Sequence, residues 1–521
     1  MSADSPAGGQ VPPPDGYLGA DARITSGPAP ELVEAGYALE TADAPLLHRG
    51  LTIADLAHLA ELVEAGVVRR EDAAPMLAAL LKLLEVPADE FSYDPVYGDA
   101  YNSRERVLER QIGADAGWVH LGRTRREAGR IAFRLALRDL LLDLHADVTA
   151  FASAAADQAA GHAETIWADT TYLQPAQPST FGHYLGSFAE QALRHLDRIE
   201  AAYERADVSP GGAGGAGGTR LPVDRDRLAR RLGFAAAGAH TRDVMWAADA
   251  LSDALLAASL IGSELAQLAA DLEIFASPAF GYVRLPASLC RASVLMPQKR
   301  NPYALPVLRG GAGTLIGRLT GLLATALTPT ARTDNWLYAY GEAASALTLA
   351  SRLTRLGTAV LAGLEVDTAV LASQAAGHFT TAADLAEDLA VRARLDYRTA
   401  YRVVGRAVAM AGDGATAGDG ATGAGGLSAG LIAAASEQIT GSADRLAGQD
   451  AARAVAATSD PADAARARDV PGGASPDRVR EHAGRVRDHL AGARRWNAGR
   501  RRDNARAEAE LLDRARALLE P

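Results

Sequence analysis

The sequence predicts an all-α protein built around a bundle of long helices. Three observations predict it. Apolar residues recur in steps of three, four and seven over several turns in four separate stretches, the spacing that lines one face of a helix. No comparable stretch alternates apolar and polar residues, so strands must be few. Alanine, leucine and arginine dominate while aromatics make up 5% of the chain, a composition that favours helices.

The chain has 521 residues, enough for two to four domains, and 48% of them are hydrophobic. Residues 1–30 are rich in Pro, Gly and Asp and lack an apolar h-region. They read as a disordered or loosely docked tail and not as a secretory signal. An N-terminal helical domain is expected over 31–122, where short helices alternate with Pro and Gly breaks. The central bundle is expected over 123–372. Its first stripe is Leu137, Leu141, Leu144, Val148 and Phe151; its second is Leu185, Phe188, Ala192, Leu196, Ile199 and Tyr203. Ile261, Leu265, Leu268, Leu272 and Phe275 form the third, and Leu308, Leu315, Leu319 and Leu322 the fourth. Such stripes are core or subunit interface.

A C-terminal helical domain is expected over 373–521. Within it, 411–426 carries AGDGAT twice and reads as a disordered low-complexity insertion. Ser475-Pro476-Asp477 starts a helix, with an N-cap, a proline at the first position and an acid in the first turn. From about Arg494 the chain is a polar, arginine-rich helix with a solvated face. A further glycine tract, PGGAGGAGG at 210–218, nominally contains G-x-G-x-x-G. No strand precedes it and no G-K-[ST] follows, so it reads as a flexible connection between helices and not as a nucleotide loop.

The net charge is −11, from 53 basic and 64 acidic residues. That argues against nucleic acid as the main partner, since phosphate binding wants a basic surface. It leaves room for an anionic small substrate, because a few local arginines reverse the field in a pocket. The single cysteine, Cys290, excludes an internal disulfide framework and a multi-cysteine zinc site, and fits the cytoplasm. The apolar stretch through Leu347 to Leu364 is broken by Arg352 and Arg355, so no transmembrane span is expected. No motif calls for a metal or organic cofactor.

The segment Ser293-Val294-Leu295-Met296-Pro297-Gln298-Lys299-Arg300-Asn301-Pro302 carries the chemistry. Asn301 before Pro302 reads as a helix start, an N-cap followed by proline at the first helical position. The helix N-terminus would then lie beside Lys299, and its unpaired N–H groups and dipole favour an anion. A lysine, an asparagine and a helix N-terminus suit a carboxylate, with a serine on the loop just before them.

This string resembles the S-S-x-M-P-x-K-x-N-P signature of the aspartase/fumarase superfamily, and M-P-Q-K-[KR]-N-P is most similar to argininosuccinate lyase. Other segments match in the family's order. His120-Leu121-Gly122-Arg123-Thr124-Arg125 resembles H-T-G-R-S-R, and Thr171-Tyr172-Leu173-Gln174-Pro175-Ala176-Gln177-Pro178 resembles T-H-L-Q-x-A-Q-P. Arg242-Asp243 resembles an R-D pair before the longest helix; Phe379 to Leu389 and Val470-Pro471-Gly472-Gly473 resemble C-terminal features. The resemblance covers roughly 35–490. It implies three helical domains, a homotetramer with a twenty-helix core, and active sites shared between three subunits. It implies elimination of fumarate from a substituted succinate, argininosuccinate in arginine biosynthesis. Ser293 is then the base, and Lys299 and Asn301 hold the succinyl carboxylate. Thr171, Gln174, Arg123, Thr124, Arg125 and Met296 stand where the family contacts substrate. His120 is left open between a structural and a binding role, and His183 is read as structural.

The departures cluster in the same segments. The family's T-H-L-Q histidine is Tyr172 here, and the position of the glutamate that pairs with it is Pro306. Tyr101 replaces a histidine in a D-x-H stretch, Arg126-Glu127 replaces N-D, and Ala331 to Trp336, with Arg332, replaces the segment that binds the arginine moiety. Three readings remain open. Argininosuccinate is split with another proton donor, Tyr172. Or the substrate carries a less basic leaving group, such as nitrosuccinate releasing nitrite, in a pocket that gains Arg126 and Arg332. Or the chain is a non-catalytic structural or regulatory homologue.

Overall fold

The computed structural model of the protein describes residues 23–328, 339–412, 427–442 and 449–520. Most of the 1–30 tail, most of the 411–426 insertion and Arg332 therefore lie outside the described residues. Three longer helices lead in, among shorter helical turns such as Ala38–Ala42: α1 (Ala44–Glu64), α2 (Arg70–Leu84) and α3 (Ala100–Ile112). The bundle follows: α4 (Arg125–Gly161), α5 (Phe181–Ala206), α6 (Asp249–Phe275), α7 (Ala304–Thr325) and α8 (Tyr340–Ala362). Then come α9 (Ala382–Ala393), α10 (Tyr397–Ala411), α11 (Ala429–Thr440), α12 (Gln449–Ala457) and α13 (Pro476–Ala517).

The four sequence stripes are what hold the bundle together. Leu137, Leu141, Leu144, Val148 and Phe151 on α4, and Leu185, Phe188, Leu196 and Ile199 on α5, are all at most 3% exposed. The stripes of α6 and α7 are buried likewise, with Leu319 partly so. Each fully buried Leu or Phe contributes about 2 kcal/mol by apolar transfer. Helix α4 packs on α1, α5, α8 and α13, while α6 packs on α5, α7 and α8. Among the described residues α6 alone is long and apolar enough to cross a membrane; here its apolar face is spent on those neighbours.

Strands are short, as the sequence implied. The longest pair is the hairpin of β1 (Ile166–Thr171) and β2 (Gln174–Thr180), which the helical reading did not anticipate. A second antiparallel pair, β3 (Arg291–Ala292) and β4 (Arg300–Asn301), closes a loop. Two expectations change. The N-terminal helices are not all short, since α1 runs 21 residues and shares one continuous core with the bundle. The 373–521 unit does not hold together as one body. A separate core is built by α9 to α12, from Leu385 to Val455. Helix α13 starts at Ser475 as expected, runs 42 residues, and returns to the bundle, burying Val479, Val486, Leu490 and Leu511 there.

That return places a titratable group in the core. His145 on α4 is fully buried against Trp496 of α13, with ring centroids 4.9 Å apart. Asn497 Nδ2 lies 3.3 Å from its Nδ1 and Glu200 Oε1 3.2 Å from its Nε2. Burial, aided by the Arg501 charge, pushes the imidazole down to about 4. The native state therefore holds it neutral, whereas the unfolded chain takes up a proton below about 6.5. Stability from this group is complete above that pH and is lost as pH falls toward 4, at most about 3 kcal/mol. His145→Gln should flatten the denaturation midpoint between pH 6.5 and 4. A wild-type midpoint that is level across that window refutes the assignment.

Candidate active site

The bundle presents candidate residues at both of its ends. At one end stands the Ser293 loop. Arg291 pairs with Asn301 and Ala292 with Arg300, so residues 293–299 form a loop on a two-stranded neck. Ser293 Oγ accepts the N–H of Met296 at 3.0 Å and of Leu295 at 3.4 Å. The Lys299 N–H donates to Met296 O at 3.0 Å, which folds the loop back on itself. Val294 and Leu295 project into solvent, at 109% and 82% exposure, with Met296 and Lys299 also exposed.

Asn301 does not cap a helix. Its Nδ2 donates to Arg291 O at 2.9 Å across the neck. Helix α7 begins at Ala304, two positions later than a Pro302 start, with Tyr303 before it and no side-chain cap. One N–H of the amide is taken by the strand pair, which a local Asn-Pro signal cannot anticipate. Arg291 lies over the Tyr303 ring at 5.0 Å and braces the same neck.

The hairpin tip lies at this end too. Trp167 at its root meets Phe275 at the end of α6, with ring centroids 5.7 Å apart. Thr171 pairs with Gln174, and the two residues between them make the turn. Tyr172 and Leu173 have φ of 55° and 59°. Left-handed backbone at both central positions is the hairpin turn that matches strand twist, usually filled by Asn and Gly. Bulky residues there cost about 1 kcal/mol each or more. Thr171, Tyr172, Leu173 and Gln174 are all exposed, Tyr172 at 98%.

The other end carries Arg123 to Arg126. Arg123 is buried and points inward: it pairs with Asp55 and donates to Ala54 O and the Tyr101 hydroxyl, both at 3.0 Å. Arg104 shares Asp55 at 3.3 Å. Arg123 is thus spent inside the fold, and so is Tyr101, whose phenol burial pushes well above its usual range. Thr124 is spent as well. It caps α4 and donates to Gly214 O at 2.8 Å. Arg125 remains half-exposed beside Asp99 at 3.4 Å, while Arg126 is held by both oxygens of Glu40 at 2.9 and 3.1 Å. These two arginines edge a cavity of about 30 Å³ with Glu40, Asp43, Asp99, Arg130 and Tyr340. Burial pushes the Asp43 carboxyl up to about 6 against the pull of the Gly341 amide. The sequence reading passed over Glu40 and Asp43, because a lone acid on a short helix carries no motif.

His120 pairs with Glu105 at 2.6 Å, and His183 with Gly472 O at 3.0 Å. Pro306 is exposed in the first turn of α7. The tract 210–218 is not a loose connection: its first residues are buried and its amides are held by Glu127. In this buried setting desolvation pushes the Glu127 carboxyl up to about 7, against Arg123 and the Gly212 and Gly214 amides.

The sequence model of a family described as Lyase matches residues 40–317. The chain is 33% identical over 363 residues to argininosuccinate lyase of Chelativorans sp. (strain BNC1), covering 68% of this chain and 76% of that one. It is 32% identical over 394 residues to argininosuccinate lyase 1 of Mesorhizobium japonicum, covering 75% and 84%. Among solved structures, an EDDS lyase in complex with formate superimposes with a TM-score of 0.80 at 26% identity, covering 95% of this chain and 97% of that one.

Proposed function

The chain belongs to the lyase family of the aspartase/fumarase superfamily and is argininosuccinate lyase-like, and from that premise we propose that it eliminates fumarate from an N-substituted succinate, argininosuccinate first among them. The observation that carries this reading is the pair of backbone N–H groups converging on Ser293 Oγ at 3.0 and 3.4 Å. A serine hydroxyl is far too weak a base for a carbon acid. Donors already aimed at the oxygen favour its alkoxide without reorganisation.

In the proposed reaction Ser293 Oγ, as the alkoxide, takes the proton from the carbon next to a carboxylate and becomes the hydroxyl, which returns that proton to solvent as Tyr172 regains one. The C–H electron pair moves into that carboxylate as an aci-carboxylate dianion, which the Lys299 ammonium stabilises. Collapse of the dianion forms the fumarate double bond and breaks the C–N bond. The departing nitrogen takes a proton from Tyr172. Thr171, Gln174 and Met296 bind beside these groups, and Arg125 receives a carboxylate from the far end of another copy's bundle, with Arg126 beside it held by Glu40. Asn301 holds the loop neck with one Nδ2 hydrogen and offers the other to the succinyl carboxylate.

Shared sites follow from length. Helix α4 has 37 residues, about 55 Å at 1.5 Å per residue. Arg125 begins it and the Tyr172 hairpin follows its end, so one chain cannot bring the two to one small molecule. Val307, Ile316 and Leu323 on α7, exposed by 38–49%, suit a partner face. We therefore propose a homotetramer. Light scattering should give four times the chain mass, and a monomer would exclude sites shared in this way. The setting proposed is arginine biosynthesis in the cytoplasm.

A second reading, with nitrosuccinate as substrate, is favoured by Pro306, which offers no carboxylate to pair with a proton donor. Against it, Arg126 is already neutralised by Glu40 and adds little to an anion-seeking pocket. The deciding experiment follows fumarate by ultraviolet absorbance with argininosuccinate and with nitrosuccinate. Fumarate and arginine from the first establish the main reading. Fumarate from nitrosuccinate alone replaces it, and fumarate from neither refutes both.

A further inference from the structure

Glu127 and the glycine tract play no part in the reaction drawn above. Glu127 is the third residue of α4 and fully buried. Its Oε1 accepts the Gly212 N–H at 2.7 Å and its Oε2 the Gly214 N–H at 2.6 Å. Thr124-x-x-Glu127 has the pattern of a capping box, in which the glutamate would turn back to the N-cap amide. Here it turns inward to amides 85 and 87 positions away. The tract answers by accepting the Thr124 N–H and hydroxyl at Gly214 O, at 3.4 and 2.8 Å. Gly212 and Gly214 have φ of +74° and +68°, and a Cβ on Gly214 would lie 2.7 Å from Gly218 O. Only glycine gives a backbone that presents its amides this way to one anion.

We propose that Glu127 is a positioning residue: by gripping the Gly212 and Gly214 amides it fixes the first turn of α4, and with it the guanidinium group of Arg125 that receives the substrate carboxylate. This rests on the proposed function. Burying a carboxylate is costly unless its oxygens are satisfied, and here the satisfaction comes from the segment that also holds the helix cap. One residue thereby ties Arg125 to a support reached from three sides, since Trp246 Nε1 and Thr241 Oγ1 also donate to the tract, at Gly215 O and Ala216 O.

The test is calorimetric titration of wild type and Glu127→Gln with fumarate, together with amide hydrogen exchange over 210–218. A glutamine side chain offers one acceptor and one NH2, so one glycine amide meets a donor. The variant should exchange those amides about 100-fold faster and bind fumarate about 10-fold more weakly, with unchanged stoichiometry. A purely structural role would lower the stoichiometry and leave the affinity of folded sites alone. Unchanged affinity with fast exchange, or amides still protected, overturns the inference. Glu127→Asp keeps the charge and decides the matter by the same two readouts if the glutamine variant does not fold. A wild type that fails to bind fumarate sinks the proposed function and this inference together; a wild type that binds while the variant binds equally sinks this inference alone.

Discussion

Ser293→Ala is expected to lower kcat about 1,000-fold or more while the assembly and its melting temperature stay as they are. General base catalysis contributes about 10² to 10⁴ in rate, and no other described group over 293–301 can take the proton. Asn301 is locked to Arg291 O, and Lys299 carries no basic lone pair while charged. The fold should be indifferent, because among the described residues the serine hydroxyl bonds only amides of its own loop, and the loop stands in solvent. Surface changes of this kind move stability by about 0.5 kcal/mol or less. Lys299→Met should act differently, raising KM more than it lowers kcat. Full activity in Ser293→Ala would remove the serine from the mechanism, and loss of the tetramer would show the loop to be structural.

Tyr172→Phe is expected to separate the two substrates. With argininosuccinate the nitrogen must leave protonated, so loss of the phenol should cost about 100-fold or more in kcat. With nitrosuccinate the leaving group departs as a stable anion, and the same variant should turn over as wild type does. The side chain is 98% exposed in a single chain, so the groups that surround it in the site must come from another copy. The strained turn supports a role for the position: two left-handed, non-glycine residues hold Tyr172 at the very tip. Wild-type rates with both substrates would leave Tyr172 without a chemical role. Equal loss with both would make it a binding residue instead.

Much of the architecture was legible because helix spacing and burial are properties of one element at a time. The stripes from Leu137 to Phe151 and from Ile261 to Phe275 needed no partner to be recognised, and every one of those residues is buried. The Ser475 cap was legible for the same reason, since its hydroxyl bonds Arg478 N three residues on. The family was legible because its signature is a continuous string.

What tertiary structure alone decided concerns side chains whose partners lie far along the chain. Nothing local tells Arg123 to face Asp55, or Glu127 to reach the Gly212 amide. Nor does an Asn-Pro pair reveal that Arg291 O will claim the Asn301 amide. The return of α13 to the bundle, and with it the burial of His145 against Trp496, is of the same kind. The sequence by itself determined the helices, the bundle and the loop that carries Ser293. The structure decided which of the matching polar residues remain free for a ligand, because a buried charge must find its compensation within reach in space, and reach in space is not written in the spacing of residues.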